Sequence, residues 1–105
     1  MTLQNRRIAK ELKRRLSEVV DLLDFRVFGS RARGDADEYS DMDVFIEVES
    51  LDKVLRQKIE HIAWEIGFKY LIHISTLVFT RYELEDSPLR ASPIVKNIYE
   101  EGIIL

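Results

Sequence analysis

Two aspartates, Asp41 and Asp43, open an alternating run, and the ten residues Arg31 to Ser40 separate them from a Gly29-Ser30 pair. Strand residues two apart project to the same face, so both carboxylates would reach one site. Two hard oxygen ligands placed this way suit Mg²⁺, which takes one or two protein carboxylates and completes its sphere with water and substrate phosphates. A glycine at a strand end lets the backbone turn sharply and lets a phosphate approach with no Cβ in the way. The serine hydroxyl and the following amides can then donate to phosphate oxygens, reinforced by a helix N-terminus. A phosphate-holding turn beside paired Mg²⁺ carboxylates is the minimum set for nucleotidyl transfer by metal-assisted in-line displacement. Each part alone is a weak signal; the order and spacing carry the inference.

The elements that must position these residues can be read on either side. Ile8, Leu12, Leu16, Val19, Val20 and Leu23 form one stripe of a 3.6-residue period and predict a first helix, ended by Asp24 and a short strand over Phe25 to Phe28. Residues 41–49 predict the central strand. Its even positions, Met42, Val44, Ile46 and Val48, are apolar and its odd positions are mostly acidic, which implies one packed face and one open face carrying carboxylates. Ser50 is placed to cap a helix with a buried stripe of Leu51, Leu55, Ile59, Ile62 and Ile66, and Gly67 to end it. His61 and Trp64 read as packing residues on its flank. Residues 71–79 predict a third strand, Arg81 to Asp86 a short acidic turn or helix, and Ser92-Pro93 the start of a last helix ending at Gly102. The apolar tail Ile103-Ile104-Leu105 suits a short strand, a core flap or a docking peptide. The order predicts an α/β fold, a small sheet with helices on one face.

Composition limits the alternatives. The chain has 105 residues, the size of one domain, so residues 1–105 are read as a single unit. There is no cysteine, which removes disulfide scaffolds, thiolate zinc sites and cysteine nucleophiles, and only two histidines, His61 and His73. No apolar run approaches the roughly 18–20 residues of a membrane span and no signal core precedes the first helix, so a cytoplasmic protein without membrane contact is expected. The net charge of −3 hides an asymmetry: Met1 to Asp35 carry nine basic against five acidic residues, and the remainder seven against fourteen. The basic face of the first helix is a solvated surface or a contact for a polyanion or an acidic partner.

The run from Gly29 to Val48, GSRARGDADEYSDMDVFIEV, resembles the signature of the minimal nucleotidyltransferases of the DNA polymerase beta superfamily. That pattern is an apolar strand, Gly-Ser, a basic Ala-Arg-Gly loop, and Ser-Asp-x-Asp on the next strand. The resemblance implies a palm-like fold with a small mixed sheet. It implies that Gly29 and Ser30 hold the β- and γ-phosphates of ATP, that Asp41 and Asp43 bind a two-ion Mg²⁺ site, and that Arg31 and Arg33 are candidates to clamp phosphate oxygens. For these arginines the alternative is an ion pair with Asp35, Asp37 or Glu38. Small stand-alone members are typically encoded beside a helical HEPN-domain protein as a toxin–antitoxin pair. The resemblance thus implies AMP transfer to a tyrosine hydroxyl of such a partner, in a homo- or hetero-oligomer, with no direct nucleic-acid binding.

One feature departs from that pattern. Competent relatives offer a third carboxylate on a later strand, and the corresponding LIHISTLVFT has none; His73 or Ser75 stands there instead. Glu47 shares the face of Asp43 but lies four residues on, about 13 Å away. Glu83, Glu85 and Asp86 follow the strand and reach the site only if the chain folds back. His73 is either the base that accepts the acceptor's proton or a residue packed on the open face. The missing acid leaves a second reading, a degenerate nucleotide-binding module that neutralises a partner by contact.

Overall fold

The computed structural model describes residues 1–105. Thr2 starts the first helix by accepting the Asn5 amide on its hydroxyl, and α1 runs Leu3–Ser17. There follow β1 (Asp24–Phe28), a one-turn helix α2 (Ser30–Arg33), β2 (Met42–Val48), α3 (Lys53–Tyr70) and β3 (Ile74–Thr80). The short α4 (Arg81–Glu85), a 3-10 turn (Pro88–Ala91), α5 (Pro93–Glu101) and the two-residue β4 (Ile103–Ile104) complete the chain. No helix is long and apolar enough to cross a membrane.

The strands form one mixed sheet in the order β3-β2-β1-β4. β1 is antiparallel to both β2 and β4, whereas β2 and β3 are parallel and joined through α3. The tail is therefore a strand: Ile103 and Ile104 pair with Val27 and Arg26, and the Lys13 ammonium donates to the Leu105 carbonyl. The even positions of β2 are buried as the alternation requires. Met42, Val44, Ile46 and Val48 pack with Val27 of β1, Ile8, Leu12 and Leu16 of α1, and Ile59, Ile62 and Ile66 of α3. Each such aliphatic side chain contributes about 1.5–3 kcal/mol by leaving water, so the two long helices are fixed to one face.

The opposite face is less open than the alternation predicts. Phe45 is at an odd position of β2 and fully buried, packed with Phe79, Leu84, Val95 and Ile98. After β3 the chain folds back, and α4 and α5 cover that part of the sheet. Only the end of the face that carries Asp41, Asp43 and His73 stays uncovered.

Three helix boundaries also differ from expectation. α1 stops at Ser17, because the chain must turn to enter β1; Val19 and Leu23 are left 40% and 38% exposed. α3 is capped by Asp52, which accepts the Leu55 amide at 2.7 Å, and not by Ser50. It runs past Gly67 to a C-cap at Leu71 with φ 57°. Gly67 serves the reversal differently: the returning chain passes over it, the Ile72 amide donates to its carbonyl at 2.9 Å, and a Cβ there would meet the Ile72 carbonyl oxygen at 2.6 Å.

Candidate active site

The end of β1, the turn into α2 and the start of β2 meet at one corner. Gly29 has φ 74° and ψ −159°, a conformation open essentially to glycine alone. The pairing of Phe28 with Asp43 brings the two strands together here, so a Cβ on Gly29 would collide with the Asp43 carboxylate. Gly29 is thus required twice, by its dihedral angles and by the closeness of Asp43. Ser30 opens α2, and Gly34 closes it at φ 88° in the left-handed region.

Asp41 and Asp43 point to the same face, as their spacing predicts. Beside them on β3, Ser75 pairs with Asp43 in register, and His73 Nδ1 lies 3.3 Å from Asp41 Oδ2. Burial raises the Asp43 carboxyl above the ordinary carboxylate range, and the charge of Asp41 adds to the rise. The charges of His73 and Arg33 oppose it. Gly29, Ser30, Arg33, Asp41, Asp43 and His73 therefore share one neighbourhood.

Arg31 departs from the expectation of a phosphate contact. Its side chain is buried; Nε donates to the Ser40 carbonyl at 2.9 Å and Nη1 to Asn5 Oδ1 at 2.8 Å, while Nη2 is buried without a partner. It ties α2 to α1 and to the residue just before Asp41, so it positions the loop. Arg33 is exposed and its Nε sits 3.2 Å from Asp35 Oδ2, while its charge still acts on Asp43. Both readings of Arg33 are thus represented, an ion pair with Asp35 and a cation beside the carboxylates. Asp37 is used in the turn, where Oδ1 accepts the Tyr39 amide at 2.8 Å and the Ser40 hydroxyl at 3.2 Å.

No third acid joins the pair. No three His, Asp or Glu side chains gather in one metal-binding group. Glu47 is turned to another environment, its carboxyl raised by burial and by Asp24. Glu83 closes a capping box with Thr80 at the start of α4. Asp41 and Asp43 are the hard-oxygen pair that could hold a divalent cation here. They fit one: both are hard oxygens, and a cation would offset the burial and the neighbouring Asp41 charge that raise Asp43.

The sequence reading missed one feature beside this corner. Trp64 and Phe68 do not pack in the core; they stack on each other at the surface, with His61 next in line. Their spacing of four residues, off the Ile59–Ile62–Ile66 stripe, was the available signal.

Known proteins agree with this fold. A family model described as a nucleotidyltransferase domain matches residues 6–105. A protein of Methanocaldococcus jannaschii, provisionally named protein adenylyltransferase MJ0141, is 43% identical over 77 residues, covering 70% of this chain and 78% of that one. A crystal structure assigned as a nucleotidyltransferase from Sulfolobus solfataricus superposes with a TM-score of 0.56 at 16% identity, covering 97% of this chain and 79% of its own, which supports the fold. The chain thus belongs to the nucleotidyltransferase domain family and is an enzyme of that class.

Proposed function

We propose that the enzyme transfers AMP from ATP, with Mg²⁺, to a hydroxyl group on a protein. The observation that carries this reading is the convergence of the Gly29-Ser30 turn with the Asp41–Asp43 pair at one uncovered corner of the sheet. The name of the M. jannaschii relative supports protein as acceptor. The resemblance of the motif to the stand-alone minimal nucleotidyltransferases supports a HEPN-domain toxin encoded nearby as the partner, with a tyrosine as the modified residue and an antitoxin role for this chain.

In this reading Gly29 and Ser30 hold the β- and γ-phosphates, and Asp41 and Asp43 hold Mg²⁺. When bound, the ion would offset negative charge on the phosphates and on the departing pyrophosphate. The acceptor oxygen attacks the α-phosphorus; the new O–P bond forms as the bond to the β-phosphate oxygen breaks, and pyrophosphate leaves. The hydroxyl proton must go to a base, and His73 takes the place of the absent acid. Asp41 beside Nδ1 orients the ring, leaving Nε2 for the proton. Arg33 adds positive charge beside the reacting phosphates.

The test is the intact mass of the neighbouring gene's product after incubation with this protein, ATP and Mg²⁺, beside an Asp43→Asn control. The expected result is a gain of one or more AMP units with the native protein and none with the control. A stable complex with no mass gain would replace this reading with neutralisation by contact, for which the missing third carboxylate is the motivating observation.

A further inference from the structure

A groove of about 690 Å³ opens beside Asp41 and His73. One wall is the flank of α3, where Trp64 and Phe68 stack with ring centroids 5.5 Å apart and stand 64% and 68% exposed. The other wall is the beginning of β3, an outermost strand of the sheet whose far edge pairs with nothing. The carboxylates of Glu38, Asp41 and Glu60 line the groove, and no lysine or arginine does.

The position of the groove relative to the phosphate turn identifies its occupant. Gly29 and Ser30 lie on the β1 side of Asp43, and the groove lies on the β3 side. In-line displacement places the entering oxygen opposite the leaving group. A triphosphate anchored at Gly29-Ser30 sends its pyrophosphate toward β1 and must be attacked from β3. On the reading that this site transfers AMP, we infer that the groove binds the acceptor, an extended, positively charged polypeptide segment that carries an aromatic side chain.

Each wall contributes to that choice. The free edge of β3 offers main-chain donors and acceptors to an extended segment, which would add to the sheet as a further strand. The stacked pair of Trp64 and Phe68 provides an apolar face for an aromatic ring, whose preferred contacts are offset or edge-on. The three carboxylates attract lysine and arginine flanking the acceptor residue and repel the phosphates of a nucleic acid. His73, at the junction of groove and carboxylate pair, is where the acceptor hydroxyl would arrive.

Trp64 is the only tryptophan of the chain, so its emission reports occupancy of the groove directly. The full-length protein is titrated with the peptide acetyl-Lys-Val-Tyr-Val-Lys-amide and with its Glu-flanked counterpart, in Mg²⁺ and a non-hydrolysable ATP analogue. Analogue binding is followed separately by calorimetry. The Lys-flanked peptide is expected to shift Trp64 emission and the Glu-flanked peptide to leave it unchanged. Glu60→Lys, a change at an exposed position, is expected to weaken the Lys-flanked peptide roughly tenfold with analogue affinity retained. Analogue binding without a response to the Lys-flanked peptide would overturn the inference. So would a Trp64 shift caused by the analogue alone, which assigns the groove to the nucleobase, or by raising protein concentration alone, which assigns it to a second copy. Peptide binding at Trp64 with no analogue binding would support the groove as a peptide site while overturning the nucleotidyl-transfer reading on which its acceptor role rests.

Discussion

Replacing Asp43 by asparagine should make the metal-free protein more stable while abolishing its activity. Asp41 and Asp43 are two residues apart on one strand face, a separation of about 6.6 Å at the usual rise. Two like charges at that distance repel by about 0.6 kcal/mol in water and about 2.5 kcal/mol at the effective dielectric of a protein surface. The Asp41 side chain is half exposed, so the lower part of that range applies, about 1 kcal/mol. The sign follows from the raised Asp43 carboxyl: its neutral form suits the fold, so stability falls as pH rises from the ordinary 3.8 through the folded value, and at neutral pH the whole cost is present. Asparagine keeps the shape and removes the charge. In EDTA at pH 7, Asp43→Asn should melt roughly 4–8 °C above the native protein, the shift that about 1 kcal/mol produces in a domain of this size. Adding Mg²⁺ and ATP should reverse the order, since a ligand at a hundred times its Kd stabilises the native protein by about 2.7 kcal/mol and the variant has lost a ligand. Thermal melts followed by circular dichroism across a Mg²⁺ titration measure both effects. A variant that melts below the native protein in EDTA, or that gains as much from Mg²⁺, would refute the argument.

Arg31→Ala should cost about 2–3 kcal/mol in urea unfolding, because its guanidinium makes a buried hydrogen bond to Asn5 and a partly buried one to the Ser40 carbonyl. It should also raise amide exchange over residues 35–41; a variant of native stability would return Arg31 to the phosphate role. Gly67→Ala should destabilise by about 1–3 kcal/mol, since the added Cβ meets backbone and not a movable side chain; helix propensity alone predicts a gain of about 1 kcal/mol, so the sign of the change in urea midpoint decides. Lys69, 2.8 Å away, holds Glu11 below its ordinary 4.5, so that contribution is present above this range and is lost as pH falls through the folded value. Glu11→Gln should therefore be less stable than the native protein at pH 7 and equal to it in acid, by urea unfolding at both pH values. His73→Ala should lower kcat for transfer by about 10²–10⁴ with little change in ATP affinity, and added imidazole should restore part of the rate; an unchanged kcat would make His73 a surface residue only.

The readable parts of this fold are those set by local periodicity. Alternation along β2 is a short-range pattern, and it placed Met42, Val44, Ile46 and Val48 in the core and aimed Asp41 and Asp43 at one face. The unread parts depend on contacts distant in sequence. Phe45 is buried because α5, some fifty residues later, returns over the sheet, and nothing between Asp41 and Glu49 encodes that return. Arg31 finds Asn5 twenty-six residues upstream, so its motif position did not reveal that it is tethered. Gly67 shows a related ambiguity. Glycine is chosen for a left-handed turn or for a close approach, and sequence gives the residue without the reason; here Leu71 takes the left-handed turn and Gly67 the close approach. Trp64 reads as a packing residue yet stands exposed beside Phe68, because a helix flank does not show which neighbours it lacks.

Several unfavourable features of the structure meet at the corner between β1 and β2. Gly29 adopts dihedral angles that other residues avoid. Asp43 is partly buried against it, beside a second carboxylate. Arg31, whose hydrogen bonds hold the loop before that carboxylate, keeps one buried nitrogen without a partner. Elsewhere the conflicts are scattered, with Glu11 Oε2 buried without a partner and Leu71 at φ 57°, while Thr2, Asp52 and Thr80 cap their helices and the apolar face of β2 meets two apolar helices. A sequence selected for stability alone would remove such conflicts, as a single Asp43→Asn change would. On the proposed reading, a bound cation would supply the positive charge that the Asp41–Asp43 pair lacks. Three carboxylates would hold a cation without substrate; two leave more of its coordination to the nucleotide. On the proposed reading, with Ser75 and His73 where relatives carry the third acid, the site would be completed by its substrate, and the cost of the empty site would be recovered only when the nucleotide binds.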